Sequence, residues 1–278
     1  MRVAFLGTPS FAVPALRALL DRSYEVCCVV TQPDRPAGRG NRLRAGPVKI
    51  LAEENGIPVH QPERLRDGAH RALFEALGPD FVVTAAYGQI LPGWLLRSAR
   101  IAPINIHASL LPRYRGASPI AHAILEGETT TGVTTMWMSE GLDAGPILMR
   151  RAVPIPVEAT LGELTEELAG VGAALLVETM EALRRGEIRP VPQDESLVTW
   201  APRVTKDDAR VSWERPAAEI HNRIRALNPW PVATTLFDGQ PLRLWRSRLP
   251  EDAAGAFAPP GTLLSVTKDA LLVQCGGG

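Results

Sequence analysis

Cysteine, net charge and long apolar runs are all scarce in this chain of 278 residues. The three cysteines, Cys27, Cys28 and Cys275, match neither the spacing of a zinc site nor an even set of disulfides. Cys27 and Cys28 lie in an apolar run, which is typical of small buried side chains in a reducing compartment. No apolar run is long enough to span a membrane, and the first residues do not resemble a signal peptide. We therefore expect a cytoplasmic protein without a membrane partner.

Charge is balanced rather than basic. Lys and Arg together number 30, as do Asp and Glu, which excludes a generally basic nucleic-acid coat but not a local basic patch. Hydrophobic residues make up 45% of the chain and charged residues 22%, as in folded globular proteins. The length is ordinary for two domains, and we expect the protein to act as a monomer.

Buried-strand patterns alternate with helical patterns over residues 1–185. This alternation predicts an α/β domain with a Rossmann-like, mostly parallel sheet. The first strand is followed by Gly7, Thr8, Pro9 and Ser10 instead of the glycine-rich turn that a dinucleotide needs, so NAD binding is not supported. A long amphipathic helix ending near Arg185 would cover the sheet and close this domain.

The remainder of the chain has a different character. Residues 186–205 contain prolines and no hydrophobic period, which is typical of a linker. Short strand patterns with one helix over residues 206–278 predict a small OB-like β-barrel domain. Residues 201–250 carry nine Lys and Arg against five Asp and Glu, a basic excess available for RNA.

Three polar residues lie where predicted strands or turns end: Asn105, His107 and Asp143. Residues i and i+2 of an extended segment point the same way, so Asn105 and His107 would present their side chains together. An amide, an imidazole and a carboxylate can polarise a carbonyl, stabilise an oxyanion and move a proton, which suits acyl transfer to an amine. Taken singly, each is equally typical of a surface histidine or a turn aspartate.

Competing chemistries lack their residues. Ser109 is flanked by Ala108 and Leu110 rather than by the glycines of a nucleophile elbow. His107 and His122 lie fifteen positions apart without ligand spacing, so no metal site is expected. The attacking amine would therefore come from a substrate.

Two loops are further candidates for binding. Residues 34–44 are rich in arginine and glycine, which is typical either of a solvated loop or of an arm that contacts phosphates. Residues 86–92 follow a buried strand at the edge where open α/β sheets bind ligands. Tyr87, Gly88 and Ile90 are candidate pocket residues there, although a plain strand-to-helix turn would use the same residue types.

The central cluster belongs to a longer pattern. Residues 105–116 (NIHASLLPRYRG), 131–134 (TGVT) and 141–145 (GLDAG) resemble the signature of the folate-dependent formyltransferases. Residues 5–9 (FLGTP), 31–40 (TQPDRPAGRG) and 227–231 (LNPWP) are closest to the members that act on initiator tRNA. The resemblance covers nearly the whole chain.

The resemblance implies a reaction and a role for each matched position. A formyl group would pass from 10-formyltetrahydrofolate, a donor substrate, to the amino group of methionine on initiator tRNA, without a metal. Asn105 and His107 would hold the formyl oxygen, and Asp143 would position the imidazole and help move the proton. Folate would lie against Ser109, Leu110, Leu111 and Pro112, with Tyr87, Gly88 and Ile90 in its pterin pocket. The phosphates of the tRNA would contact Arg39, Arg42 and Arg44.

The same resemblance assigns the domains: a formyltransferase catalytic domain at 1–185, a linker at 186–205 and a tRNA-binding barrel at 206–278. Other family members continue beyond the position of Gly278, so a barrel that stops there is expected to have an open edge. Two alternative functions remain open. One is a folate-dependent formyltransferase or hydrolase acting on a small amine, and the other is a non-catalytic RNA-binding protein.

Overall fold

The chain divides into two compact units, each discontinuous in sequence. The computed structural model describes residues 1–37, 42–250 and 258–277. The first unit comprises Met1–Gly116, Gly132–Val153 and Glu166–Trp200, and the second comprises Ala117–Thr131, Pro154–Thr165 and Ala201–Gly278. Between residues 1 and 277, none of the helices that the structure describes is long and apolar enough to cross a membrane. The assignment of domains to 1–185, 186–205 and 206–278 stays a prediction.

Strands and helices alternate through the first unit, as the hydrophobic pattern predicts. The strands are β1 Arg2–Gly7, β2 Glu25–Val30, β3 Arg35–Ala37, β4 Arg42–Arg44, β5 Val59–His60, β6 Phe81–Ala85, β7 Ala102–His107, β8 Arg115–Gly116, β9 Thr130–Trp137, β10 Ile147–Pro154, β11 Trp200–Ala201, β12 Ala233–Phe237, β13 Gln240–Leu244, β14 Leu263–Val266 and β15 Leu271–Val273. The helices are α1 Val13–Asp21, α2 Pro47–Glu54, α3 Arg71–Leu77, α4 Gly93–Leu96, α5 Pro119–Leu125, α6 Leu161–Arg185 and α7 Ala217–Ala226.

A seven-stranded sheet organises the first unit, in the order β10-β9-β7-β6-β1-β2-β5. The pairs β1–β2, β1–β6, β6–β7 and β2–β5 are parallel, whereas β7–β9 is antiparallel. The predicted α/β fold with a mostly parallel sheet is confirmed. The chain builds β1, β2 and β5 on one side and then returns with β6 on the other side of β1, which creates a switch point between β1 and β6. Ligands of open α/β sheets bind at the carboxyl ends of strands beside such a point.

Burial on both faces explains why the central strands are continuous apolar runs. Val3, Phe5 and Leu6 of β1 are completely buried. Helix α6 approaches β7 closely at Gly172, where an added Cβ would lie 2.9 Å from the Ile106 side chain. Inside this interface the Thr135 and Thr179 hydroxyls lie 2.7 Å apart, so both polar groups are satisfied. The packing fixes the strand that carries Asn105 and His107.

The second unit has its own core, and its strands form hairpins. Buried apolar residues of this core include Val211, Ile220 and Ile224. Strands β12–β13 and β14–β15 form two separate antiparallel pairs. The predicted OB-like barrel is not confirmed, because residues 201–250 and 258–277 contain these pairs and no continuous sheet. The strand predicted at residues 210–213 is wrong, since this segment makes a single bridge from Arg210 to Thr234.

Helix α7 carries an arginine that the hydrophobic pattern misplaces. The pattern puts Arg225 on a solvated face, but its residue is only 6% exposed. Its guanidinium donates to the carbonyl oxygens of Pro156 and Ala159 at 3.3 and 3.2 Å, and to Asn222. Burial lowers its pKa. The charge is tolerated because five N–H donors find fixed acceptors, and the side chain serves the packing of the second unit.

Replacing Arg225 with alanine is expected to lower the free energy of unfolding by about 2–3 kcal/mol, since two buried carbonyl groups lose a charged donor. Urea unfolding followed by circular dichroism measures the change. Arg243→Ala is the control, because Arg243 lies exposed on β13 and its loss is expected to cost about 0.5 kcal/mol or less. Equal effects of the two substitutions would contradict the assignment of Arg225 to a buried structural role.

Candidate active site

The centre of the candidate site is the carboxyl end of β7. In the sheet register, Asn105 lies beside Thr84 of β6 and Met136 of β9. Asn105 and His107 are two residues apart on an extended strand and therefore share a face, as the sequence predicts. Asn105 is partly buried and His107 is buried at 6% exposure. The sheet thus delivers two polar side chains to one largely desolvated edge.

The ring of His107 is held in one tautomer by the backbone. Its Nε2 lies 2.9 Å from the carbonyl oxygen of Tyr114. A carbonyl oxygen only accepts, so Nε2 carries the hydrogen and donates it. The other nitrogen, Nδ1, lies 3.6 Å from Oδ1 of Asp143. A neutral ring therefore presents its Nδ1 lone pair toward the carboxylate, and a proton gained there would be stabilised electrostatically.

Asp143 brings the carboxylate to the strand end from a turn. Its backbone has φ of +49°, in the left-handed region that a non-glycine residue rarely adopts. Its Oδ2 accepts a hydrogen bond from the backbone N–H of Gly116 at 3.0 Å, and its Oδ1 lies 3.5 Å from the Asn105 amide nitrogen. The carboxylate thus joins the three predicted catalytic residues, although its contact with Asn105 is weak.

The loop after β7 is rigidly tied to β9. The Thr134 hydroxyl donates to the Ser109 carbonyl at 2.6 Å and accepts from the Leu111 N–H at 3.1 Å. Ser109 is completely buried, and its hydroxyl donates to the Arg113 carbonyl. Leu111 is also buried, so only Leu110 of these loop residues stays partly open. The predicted folate residues are therefore held by an internal network.

A cavity of about 510 Å³ adjoins the same loop in the first unit. It is lined by residues 110–113, Arg150 and residues 196–199. Leu110, Leu111 and Pro112 line it, whereas Asn105, His107 and Asp143 do not. The Arg150 guanidinium donates to the Leu111 carbonyl at 3.1 Å. The cavity is therefore a feature of the outer side of the loop and not of the catalytic cluster.

The loop after β6 lies at the carboxyl end of the strand next to β7. Tyr87 is 2% exposed, and its carbonyl accepts from the Gln32 amide. Burial raises the pKa of Tyr87 to about 12. Gly88 has a φ of +86° and Ile90 is 54% exposed. These three predicted pterin-pocket residues share the sheet edge with β7, and their contact with folate stays a prediction.

The arginine-rich segment is a short hairpin rather than an unpaired loop. Strands β3 and β4 pair Arg35 with Arg44 across the ladder. Arg44 is exposed, Arg42 starts β4, and Arg39 lies outside the described residues. At the base, the Lys49 ammonium is 2.6 Å from the Asp34 carboxylate and lowers the pKa of Asp34. Lys49 is therefore engaged in holding the hairpin, while Arg44 projects to solvent.

Two polar residues of this region escape the sequence analysis. Arg115 is 3% exposed and lies within the pattern of residues 105–116, but no predicted role was attached to it. Gln193 lies in the predicted linker, and its amide donates to the backbone carbonyls of Asp143 and Gly145 at 2.8 and 2.7 Å. No periodicity marks Gln193, because its segment is irregular. Outside residues 38–41 and 251–257, no group of three His, Cys, Asp or Glu side chains is arranged to hold a metal ion.

Models of two protein domains match almost the entire chain. The formyl transferase model matches residues 1–180, and the formyl transferase C-terminal domain model matches residues 203–278. The chain belongs to the formyl transferase family. The family predicted from the sequence patterns is therefore confirmed.

Individual family members support the assignment. A methionyl-tRNA formyltransferase of Pelobacter propionicus is 48% identical over 98% of this chain and 84% of its own length. Among solved structures, the sugar 3N-formyl transferase WlaRD has a TM-score of 0.75 at 17% identity and covers 100% of this chain and 95% of its own. HypX from Aquifex aeolicus in complex with tetrahydrofolic acid has a TM-score of 0.70 at 21% identity, and the match covers 100% of this chain and 43% of HypX. The two structures are similar in fold.

Replacing Asp143 with asparagine is expected to lower kcat for formyl transfer by roughly 100- to 10,000-fold, because the new side chain cannot stabilise a proton on His107. Steady-state kinetics with a formyl-folate donor measure the loss. Asp207→Asn is the control, since Asp207 is an exposed carboxylate in the second unit. A variant at Asp143 with the kcat of the unmodified protein would contradict the geometry described above.

Proposed function

We propose that this protein transfers a formyl group from 10-formyltetrahydrofolate to the amino group of methionine carried by initiator tRNA. The observation that carries the reaction type is the convergence of Asn105 and His107 on the Asp143 carboxylate at the end of β7. The acceptor is supported by the relative named methionyl-tRNA formyltransferase, which matches the chain over nearly its full length. Action as a cytoplasmic monomer stays a prediction.

The amide of Asn105 supplies the electrophilic assistance. Its nitrogen has two hydrogens, and the weak 3.5 Å contact to Asp143 uses only one of them. The second can donate to the formyl oxygen, where negative charge develops as the amine attacks. A donor aimed at a developing oxyanion in a partly buried site stabilises the transition state more than the ground state.

His107 and Asp143 handle the proton. The neutral amine nitrogen attacks the formyl carbon, and the carbonyl electrons move to the oxygen. The proton released by the amine passes to Nδ1 of His107, whose other nitrogen is committed to Tyr114. When the oxyanion collapses, the bond from the formyl carbon to folate N10 breaks, and N10 takes up a proton. Asp143 stabilises the imidazolium between these two transfers.

The donor is assigned from the family and from one neighbour of the fold. HypX was solved with tetrahydrofolic acid, and WlaRD in the presence of 5-N-formyl-THF. In this chain, we place the folate at the crevice beside the switch point, against the loop after β7 and the loop after β6. Ser109, Leu110, Leu111 and Pro112 form one wall, and Tyr87, Gly88 and Ile90 form the other.

The decisive experiment compares acceptors. With 10-formyltetrahydrofolate as donor, the protein is expected to formylate methionyl initiator tRNA, because the β3–β4 hairpin supplies cations for a phosphate backbone. Methionyl elongator tRNA and a nucleotide-linked amino sugar are the comparison acceptors, and product is measured by mass spectrometry. Faster transfer to the amino sugar would replace the proposed acceptor with a small amine. Binding of tRNA without any transfer would favour an RNA-binding protein.

The hairpin makes a separate prediction. Arg44→Ala is expected to weaken tRNA binding and to reduce the slope of log K against log salt by about 1, since one phosphate contact is lost. The Kd is measured by filter binding at several salt concentrations. Arg17→Ala is the control, because Arg17 is an exposed arginine on α1, away from the hairpin in sequence. An unchanged slope for Arg44→Ala would remove the hairpin from the tRNA interface.

A further inference from the structure

The turn that carries Asp143 is held from outside by a segment fifty residues further along the chain. This segment, residues 191–199, follows α6 and has almost no regular structure. It is nevertheless anchored at both ends within the first unit. Val191 exchanges two backbone hydrogen bonds of 2.8 Å with Ile147, and the Thr199 carbonyl accepts from the Arg115 N–H at 2.9 Å. Between these anchors lies Gln193.

Gln193 makes bonds with both ends of its amide. The Nε2 group donates to the carbonyl oxygens of Asp143 and Gly145 at 2.8 and 2.7 Å, so both N–H bonds are used. The Oε1 atom accepts two hydrogen bonds from Arg115, from Nε at 3.0 Å and from Nη2 at 2.8 Å. All hydrogens and lone pairs of the amide are therefore committed, and the side chain has a single orientation.

Arg115 completes the clamp. Besides holding Gln193, its guanidinium donates to both carboxylate oxygens of Glu195 at 3.1 and 2.8 Å. Its side chain is 4% exposed, whereas the Glu195 side chain is 72% exposed. A buried guanidinium with such a two-pronged partner is locked in place, since its planar fork matches the carboxylate. The ion pair thus fixes the acceptor atom on which Gln193 depends.

The position of the clamp suggests what it does. Asp143 has φ of +49°, a conformation that costs free energy unless the surroundings enforce it. Gly145 faces the Trp137 carbonyl so closely that an added Cβ would collide with it. The two carbonyl groups on either side of Ala144 are the ones that Gln193 binds. The clamp therefore acts on the backbone of the turn, while Gly116 acts on the carboxylate itself.

We propose that Gln193 is a positioning residue for formyl transfer, which holds the Asp143 turn in its strained conformation and is itself oriented by the Arg115–Glu195 pair. It touches no substrate and acts through Asp143. This inference rests on the proposed function, because it concerns the same catalytic cluster. It extends that cluster to a segment of irregular structure that the hydrophobic pattern marks as a linker.

The test is a double-mutant cycle in the full chain. Gln193→Met keeps the length of the side chain and removes every polar contact, and kcat is expected to fall roughly 10- to 100-fold with little change in either KM, because a displaced carboxylate serves the proton step poorly. Asp143→Asn is expected to lose more. In the Asp143→Asn background, adding Gln193→Met is expected to cost less than about twofold, since the two residues act as a unit.

Two further variants keep the outcome clear if Gln193→Met folds poorly. Gln193→Glu retains an acceptor for Arg115 but has no N–H for the two carbonyls, so it is expected to lose kcat as well. Gln274→Met is the control, because the Gln274 amide also donates to a backbone carbonyl, in the second unit. Its kcat is expected to be that of the unmodified protein.

The possible results separate this inference from the function on which it rests. Full kcat in both Gln193 variants would overturn the clamp while leaving the function intact. Losses that multiply in the double variant would overturn it too, because Gln193 would then act independently of Asp143. Full kcat in Asp143→Asn alone would instead refute the proposed proton pathway, and with it the premise of the clamp.

Discussion

The candidate site depends on one carboxylate held next to a buried imidazole. Asp143 is largely withdrawn from water, with its side chain 13% exposed, and a carboxylate in that position needs donors. It obtains the Gly116 N–H at close range and the Asn105 amide at longer range. The same charge faces Nδ1 of His107. Without it, the ring would lack the group that stabilises its protonated form, and Asn105 and His107 would be two unrelated polar side chains at a strand end.

The sheet and its cover determine where that carboxylate can meet its partners. Strand β7 is parallel to β6 on one side and antiparallel to β9 on the other, so its carboxyl end is flanked by the start of one strand and the end of another. Helix α6 packs against β7 at Gly172 and leaves the strand no freedom to shift. The hydroxyl of Thr134 then ties the following loop to β9. Rigidity at the reacting groups comes from a packed core rather than from the loops.

The sequence patterns predict the parts of this arrangement that are governed by period and by neighbouring residues. Asn105 and His107 share a face because a strand alternates, and the mostly parallel sheet follows from alternating buried strands and helices. The β3–β4 hairpin was missed, since three-residue strands containing proline and arginine have no apolar alternation. Arg225 was placed in solvent, because hydrophobic periodicity cannot foresee carbonyl groups brought in from residues 156 and 159. Gln193 escaped for the same reason, as its partners are fifty residues away.

The location of Gln193 has a consequence for how this enzyme can be divided. Helix α6 ends at Arg185, a natural place to stop a fragment meant to retain activity. Such a fragment would contain Asn105, His107 and Asp143 in full, yet the carbonyls of the turn would lose both of their side-chain donors. A shortened protein of this kind would keep every reacting group and lack the segment that sets their spacing. Presence of the catalytic residues and competence of the site are therefore separate properties in this chain.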